Sequence, residues 1–277
     1  MKKDTLQGKA FNCVMSLLIV ALYVFPLYVL VNVSLRPYTD LSSKLSVTIN
    51  PILDNYKKLI TDPLFWQAAW NTVLYCFLNV IILIPVASIG GYGLARTEGR
   101  LTSLLRSMNI MIMMIPTTAL LVGTYSMMVK LKLTNSIFGL SLLSVGGSMT
   151  SVMFFYTTFT TMIPVELDEA AAIDGAGVIR TFFTIIFPQL KAITITRVID
   201  SVTICWNNYL MPMYMLNKSE KFTLLLYVRK LYSGWTKVAD VPLAFAGCAL
   251  MIAPILAFYF AMQKHIIGGQ IDSSVKG

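Results

Sequence analysis

The chain has 277 residues, of which 56% are hydrophobic and only 13% are charged, and its mean hydropathy is +0.71. Soluble domains carry about 25% charged residues, so this composition excludes an ordinary soluble protein and predicts an integral membrane protein. The formal net charge of +9 does not indicate a nucleic-acid-binding protein, because the basic residues are scattered over the loops rather than gathered with aromatic residues on one face. Contact with lipid headgroups explains the excess of positive charge.

Six apolar segments predict six transmembrane helices. A helix needs about 20 apolar residues to cross the hydrocarbon core of a bilayer, and five segments exceed that length without a charged residue. The sixth contains Arg197 and Asp200, which we place at the cytoplasmic interface because the uncharged residues 201–217 are still long enough to cross. The segments do not alternate over about 10 residues, which excludes the strands of a transmembrane barrel. The predicted spans are residues 11–35, 69–95, 107–129, 137–161, 193–216 and 241–263, in a single all-α domain over residues 1–277.

The positive charges do not orient these spans. With both termini cytoplasmic, the cytoplasmic tails and loops would hold ten Lys and Arg residues and the opposite side eleven. The cluster of Arg96, Arg100 and Arg106 favours a cytoplasmic position for its short loop, because the positive-inside rule weights short loops.

Residues 164–190, which we call the polar segment, separate the fourth and fifth predicted spans. Pro164 suits the first turn of a helix, where its missing N–H would have no partner in any case. Three carboxylates complement the positive end of that helix, and Ala170 to Ala172 favour its extension. These carboxylates are Glu166, Asp168 and Glu169.

Glycines and a second apolar run complete the polar segment. Gly175 and Gly177 are expected to end the first helix, because glycine accepts the left-handed conformation that closes a helix. A second helix is expected to follow, and Pro188 then turns the chain towards the fifth span. Its apolar face would consist of Phe182, Phe183, Ile185 and Ile186. By these residues alone, the polar segment is equally consistent with a docking element and with a simple connector between spans.

A resemblance to a known family favours the docking element over the simple connector. The pattern Glu169-Ala170-Ala171, then Asp174-Gly175-Ala176, then Ile186-Phe187-Pro188 resembles the EAA loop of ABC importer permeases. In that family the loop is a cytoplasmic segment that fits a cleft on the ATPase subunit. The chain departs from the family pattern at Phe187, where leucine is usual, and at Ala192, where a further proline often occurs. The resemblance implies ATPase-coupling roles for Glu169, Ala170, Ala171, Asp174, Gly175 and Pro188.

Further motifs are similar to those of the carbohydrate-uptake, maltose-type branch of this family. They are Asn55-Tyr56, Asn71-Thr72, Gly91-Tyr92-Gly93-Leu94-Ala95-Arg96, Met114-Ile115-Pro116, Trp206-Asn207-Asn208-Tyr209 with Pro212, and the terminal residues 268–277. Their order implies the type I ABC importer permease fold, with six transmembrane helices and a cytoplasmic EAA coupling loop. It also implies a multi-pass protein of a bacterial or archaeal inner membrane, with both termini cytoplasmic.

The fifth span carries the candidate translocation path. A neutral sugar needs hydrogen-bonding groups and aromatic faces, and an amide in the membrane is costly unless it faces protein or a watery cavity. Trp206, Asn207, Asn208 and Tyr209 supply such groups. The alternative is that the amides pair with a neighbouring helix. Arg197 and Asp200, three residues apart, are expected to form a structural pair rather than a proton relay.

The chain contains no GxxxxGK[ST] phosphate loop, so the energy for transport must come from a partner. The resemblance implies two cytoplasmic ABC ATPase subunits, a second homologous permease and an extracytoplasmic solute-binding protein that delivers a carbohydrate. It also implies a contact of the tail, residues 264–277, with the ATPase, for which Gly269 and Lys276 are candidates. With one histidine and no CxxC pair, neither a metal site nor a cofactor is expected.

Three other functions are weighed against an ABC carbohydrate permease. An ion-coupled secondary transporter would normally need intramembrane acidic sites or repeats, and Asp200 alone is weak support for one. An intramembrane enzyme would need a convergent catalytic set, which His265 in the tail does not provide. An ABC permease for a solute other than a sugar remains open, because other subunits contribute to selection in this family.

Overall fold

The computed structural model describes the backbone of residues 6–40, 43–233 and 240–274, and the side chains of residues 11–40, 43–233 and 240–262. Within these residues every regular element is helical, which confirms the predicted all-α class. The chain forms two compact units, Met1–Trp66 with Tyr227–Pro254, and Gln67–Leu226 with Ile255–Gly277.

In the part of the chain that the structure describes, four helices are long and apolar enough to cross a membrane. They form because an uninterrupted helix satisfies its own backbone hydrogen bonds where no water is available. They correspond to the first, second, fourth and sixth predicted spans. These helices are α1 (Leu6–Ser34), α3 (Pro63–Arg96), α6 (Ile137–Thr161) and α13 (Val241–Ser274).

The third predicted span, residues 107–129, is divided in the structure. Helix α4 (Arg100–Met113) ends before Pro116, and a 3₁₀ turn (Thr117–Leu120) leads into α5 (Leu121–Lys130). The two parts are bent by 89°. Proline disfavours the helical conformation of the residue before it, here Ile115, and provides no N–H for the helix. The region counts as one span only if the bent pair crosses together.

The fifth predicted span, residues 193–216, is also divided. Helix α10 (Lys191–Trp206) and helix α11 (Leu210–Met215) are separated by three non-helical residues. Pro212 provides no N–H for the Asn208 carbonyl, and the amide of Asn207 donates to the Thr203 carbonyl at 2.9 Å. Two bent pairs are candidate single spans, namely α4 with Thr117–Lys130 and the stretch Val178–Gln189 with α10. If each pair is counted as one span, the described residues hold up to six candidate spans.

In the first unit, the backbone after α1 is held by buried polar side chains. The guanidinium of Arg36 donates to the Ser43 carbonyl at 2.9 Å and to the Thr48 hydroxyl at 3.1 Å. The amide of Asn55, in α2 (Asp54–Thr61), donates to the carbonyls of Ser34 and Arg36 at 2.9 and 2.8 Å. The two Asn55 bonds satisfy carbonyls that have no intrahelical partner where α1 ends.

The same unit includes a tyrosine–carboxylate contact. The hydroxyl of Tyr227, in α12 (Leu224–Ser233), donates to Asp62, and the Tyr227 ring lies edge-on to Phe65 with ring centroids 6.1 Å apart. Burial, and then the hydrogen bond to Asp62, raise the pKa of Tyr227 above its usual value of 10.0. Tyr227 is therefore a neutral hydrogen-bond donor at physiological pH.

The second unit has a core between α3, α6 and the polar segment. Its fully buried side chains include Leu83 on α3, Tyr156 on α6 and Ile186 in the polar segment. The amide of Asn109 on α4 donates to the Thr150 carbonyl on α6 at 3.0 Å. Contacts from α3 and α6 thus fix where the polar segment lies within this unit.

Candidate functional site

The polar segment folds as two short helical stretches. Helix α7 (Glu166–Ile173) has Glu166, Asp168 and Glu169 in its first turn, which confirms the predicted acidic helix start. The second stretch consists of α8 (Val178–Thr181), a π-helical turn (Phe182–Ile186) and α9 (Phe187–Gln189). The stretch Val178–Gln189 meets α10 at 79°, so the turn towards the fifth span falls just after Pro188.

The bend between the two stretches is a Schellman motif. Gly175 has φ +78, and its N–H donates to the Ala172 carbonyl at 3.0 Å. The N–H of Ala176 donates to the Ala171 carbonyl at 2.9 Å. Gly177 differs from the prediction, because it has φ −73 and stands at the start of α8. Only Gly175 needs the left-handed conformation that glycine accepts readily.

Asp168 connects the polar segment to the end of α3. One carboxylate oxygen accepts a hydrogen bond from the Tyr92 hydroxyl at 2.5 Å, and the other accepts from Arg96 Nε at 3.0 Å. Arg96 Nη2 lies 3.0 Å from the same carboxylate oxygen and donates to the Ile163 carbonyl at 2.9 Å. The side chains of Arg96 and Asp168 are 15% and 16% exposed. The pair is thus largely withdrawn from water. Charged hydrogen bonds are stronger in such a position than at the surface.

The sequence interpretation missed this cluster. It treated Tyr92 and Arg96 as part of a family motif and Asp168 as a helix start. The available signal was the four-residue spacing of Tyr92 and Arg96, which places both side chains on one helix face. Their partner lies 76 and 72 residues further along the chain.

Aromatic rings fix the second stretch against α3. The ring of Phe182 is buried, with its centroid 5.2 Å from the Tyr92 ring and 5.6 Å from the Phe187 ring. Ile186 is also buried, whereas Phe183 is exposed. The predicted apolar face is therefore divided, with Phe182 and Ile186 in the core and Phe183 on the surface.

Most of the predicted coupling residues lie on the surface of the polar segment. Glu169, Ala170, Asp174, Gly175 and Pro188 are exposed, whereas Ala171 is buried against the core. Beside them is an exposed apolar patch, which we call the apolar tip. It consists of Ile173, Val178 and Ile179, and the side chain of Ile173 is 86% exposed. The sequence interpretation did not identify the apolar tip, although three apolar residues around a glycine bend were its signal.

The residues predicted for the translocation path have different surroundings. Trp206 is buried, and its indole N–H has no hydrogen-bond partner among the described residues. Asn207 is exposed and Tyr209 is partly buried. The amide of Asn208 donates to the Tyr75 hydroxyl at 3.0 Å, and that hydroxyl also shares a hydrogen bond with Ser144. Asn208 therefore pairs with a neighbouring helix, as the alternative prediction proposed.

Asn208 also lines a cavity of about 450 Å³, which we call the α5–α6 cavity. Most of the wall is apolar and comes from leucines and methionines such as Leu120, Met127 and Met211. Its polar groups are Thr117, Thr124, Ser144, Ser148 and Asn208. An apolar wall with a few convergent polar groups is typical of sites that bind small molecules.

Arg197 and Asp200 form the structural pair that the sequence predicts. Arg197 Nη1 lies 3.3 Å from the Asp200 carboxylate, and the guanidinium stands over the Phe155 ring at 4.1 Å from its centroid. The Arg197 side chain is 15% exposed and that of Asp200 47%. Asp200 thus lies at the surface of the unit.

Of the two tail candidates, Gly269 falls within helix α13, in the part where the structure describes the backbone alone. Lys276 lies outside the described residues.

Comparison with known proteins connects these features to a family. The model of the family described as "Binding-protein-dependent transport system inner membrane component" matches residues 84–269. The chain is 34% identical over 262 residues to the multiple sugar-binding transport system permease protein MsmG of Streptococcus mutans, covering 92% of each chain. It is 30% identical over 253 residues to the melibiose/raffinose/stachyose import permease protein MelC of Bacillus subtilis, covering 91% of each.

A solved structure shares the fold. It is a bacterial ABC transporter involved in the import of the acidic polysaccharide alginate, with a TM-score of 0.78 and 20% sequence identity. The match covers 95% of this chain and 99% of the other. The family match includes α6, the polar segment and the α10 region, and the fold match extends over nearly the whole chain. The chain belongs to the family of binding-protein-dependent transport system inner membrane components.

Proposed function

We propose that this chain is the transmembrane permease subunit of an ATP-driven ABC importer, and that it translocates a carbohydrate delivered by an extracytoplasmic binding protein. The relatives named above are sugar transport permeases, and a starch degradation products transport system permease protein, AmyC, is 31% identical over 264 residues. These names support a carbohydrate as the solute.

The observation that carries this proposal is the exposed face of the polar segment. Glu169 and Asp174 lie on the surface beside the apolar tip, while the opposite face is fixed to the core. Burying one large aliphatic side chain contributes about 1.5–3 kcal/mol, so the apolar tip gains several kcal/mol by entering an apolar cleft. The carboxylates add charge selection at its rim. This surface suits docking into a cytoplasmic ATPase subunit.

The proposed assembly supplies what the chain lacks. Two ABC ATPase subunits bind and hydrolyse ATP, and a second homologous permease pairs with this one. The chain is therefore not itself an enzyme. If the polar segment docks on cytoplasmic subunits, both termini of the six-span chain also lie in the cytoplasm. The membrane is then the inner membrane of a bacterial or archaeal cell. The tail, residues 264–277 with Gly269 and Lys276, is then on the same side and is our candidate for a contact with the ATPase.

The α5–α6 cavity is our candidate for this subunit's part of the translocation path. Its hydroxyls and the Asn208 amide suit the hydroxyl groups of a neutral sugar, and its apolar wall suits the sugar's C–H faces. Of the four fifth-span candidates, Asn208 lines the cavity directly. Asn207 and Tyr209 flank it in the same non-helical turn, and the buried Trp206 is the last residue of α10.

The test is retention of the ATPase during purification. We expect ATPase subunits to co-purify with the wild-type chain, and we expect Glu169→Lys to remove them while membrane insertion is unchanged. Glu98→Lys is the matched control, because Glu98 is exposed in the loop after α3 and outside the polar segment. Equal retention by Glu169→Lys and Glu98→Lys would reject the docking surface.

A further inference from the structure

We infer that Tyr92, Arg96 and Asp168 form the mechanical joint through which the polar segment moves α3 and α6. This inference rests on the proposed function, since it assigns the connection between the docked surface and the membrane helices. The three residues are positioning residues, because none of them lies on the exposed face of the polar segment or in the α5–α6 cavity.

The geometry leaves Asp168 no freedom relative to α3. Both of its carboxylate oxygens are occupied by side chains of that helix, at 2.5 Å from the Tyr92 hydroxyl and 3.0 Å from Arg96. Because the guanidinium holds one oxygen and the hydroxyl holds the other, the orientation of the carboxylate is fixed as well as its distance from α3. A rotation of α7 about its own axis would break these bonds.

Arg96 also holds the chain that leads into α7. Its Nη2 donates to the Ile163 carbonyl at 2.9 Å, in the short link between α6 and the polar segment. The Arg96 side chain at the end of α3 therefore holds both Asp168 of α7 and the Ile163 carbonyl, just before the polar segment begins. The end of α3 is itself fixed, because Arg106 Nε donates to the Leu94 carbonyl at 2.7 Å.

Packing extends this connection to α6. The Tyr92 ring packs on Phe182 with centroids 5.2 Å apart. One residue earlier, a Cβ built on Gly91 would lie 2.5 Å from the Tyr156 Cβ of α6 and 2.9 Å from the Thr157 N. Packed helices in such close contact shift together, because interiors this dense do not deform continuously. A displacement of the polar segment is thus passed to both helices.

Substitutions in a mechanical joint and in a merely stabilising cluster are expected to impair different properties of the complex. A stabilising cluster would lower the amount of assembled complex and leave each assembled complex normal. A joint would leave docking and ATP hydrolysis in place while the cavity stops responding to nucleotide. The readout must therefore be the response of the cavity per assembled complex.

The experiment uses the complete complex in proteoliposomes, with Ser148→Cys as a reporter in the cavity wall and the four native cysteines replaced by alanine. The probe is a membrane-impermeant maleimide, and the labelling rate is measured with and without ATP. With the joint intact, we expect ATP to change the rate by at least about fivefold, the lower end of typical coupling between sites. With Asp168→Asn or Arg96→Gln, we expect a change of less than about twofold, while ATPase retention stays within about twofold of the parent.

Two further variants keep the test decisive. Asp168→Glu retains the carboxylate and is expected to restore most of the nucleotide response. If Asp168→Asn fails to assemble, Tyr92→Phe removes a single hydroxyl, and its nucleotide response is expected to fall with assembly preserved. If Asp168→Asn assembles and keeps a full nucleotide response, the joint alone is overturned. If Asp168→Asn does not assemble, a full nucleotide response in Tyr92→Phe overturns the joint alone. A parent chain that retains no ATPase would overturn the proposed function and the joint together.

Discussion

Gly91 on α3 and Tyr156 on α6 are in such close contact that any larger residue at position 91 would collide with the Tyr156 Cβ, 2.5 Å from the expected Cβ position. The Thr157 N lies 2.9 Å from the same point, so the obstacle includes backbone that cannot move away alone. Small residues permit such close approach of helices in membranes. This contact holds together the helices on which the polar segment rests.

The first prediction concerns this contact. We expect Gly91→Ala to lower the free energy of unfolding by about 1–3 kcal/mol, the usual cost of overpacking. Gly93→Ala is the control, because among the described residues a Cβ there meets no atom within 4 Å apart from the backbone of its own helix. Alanine is also the better helix former by about 1 kcal/mol, so Gly93→Ala should not destabilise. Unfolding in detergent micelles measures both, and equal effects would contradict the packing account.

A second prediction concerns the apolar tip. We expect Ile179→Asp to weaken retention of the ATPase subunits by about tenfold or more, because burial of an isoleucine contributes about 1.5–3 kcal/mol. Ile179→Leu keeps an apolar side chain of the same size and should retain them. Binding of the purified complex components, titrated in detergent, gives both affinities. Unchanged affinity in Ile179→Asp would show that the tip stays outside the interface.

Arg197 and Asp200 give an asymmetric prediction. Asp200 is half exposed, so we expect Asp200→Asn to change the free energy of unfolding by no more than about 1 kcal/mol. Arg197→Ala should cost more, since it also removes a buried stem and a cation–π contact worth about 0.5–2 kcal/mol with Phe155.

The same variants test the ion-coupled alternative. Asp200→Asn should leave solute uptake by intact cells close to wild type, because the carboxylate serves only to neutralise Arg197. Loss of uptake in Asp200→Asn with normal amounts of protein in the membrane would instead favour a proton relay.

Asn208 and Tyr75 provide a prediction about the cavity wall. Their hydrogen bond is 3.0 Å long, and we expect a coupling energy of about 0.5–1.5 kcal/mol between Asn208→Ala and Tyr75→Phe. The double-mutant cycle uses the free energies of unfolding of the wild type, the two single variants and the double variant. Strict additivity would show that the hydrogen bond does not hold the wall in place.

The long apolar helices could be predicted from the sequence, because more than 20 uncharged residues leave the backbone few alternatives in a membrane. The breaks in the third and fifth predicted spans could not be predicted in this way. Pro26, Pro85 and Pro254 lie inside continuous helices, whereas Pro116 follows the end of one. The three prolines inside helices are exposed, and the same residue type has both outcomes, so a proline alone does not predict a break.

The site was predictable only in part. The acidic start of α7 and the left-handed Gly175 follow from local chemistry that a few neighbouring residues determine. The inward position of Ala171 and the partners of Asp168 depend on contacts with α3, more than 70 residues earlier in the chain. Local patterns carry no information about such contacts.

The docking of the polar segment on an ATPase subunit is tested most directly by a photo-crosslinker placed at Ile173 in the native membrane. We expect an adduct with a protein that contains a GxxxxGK[ST] phosphate loop, identified by mass spectrometry. We expect no such adduct from Met114, whose side chain is 79% exposed but which lies in the third predicted span. Ile173 without an adduct to any nucleotide-binding subunit, in membranes where the chain is active in uptake, would contradict the docking of the polar segment.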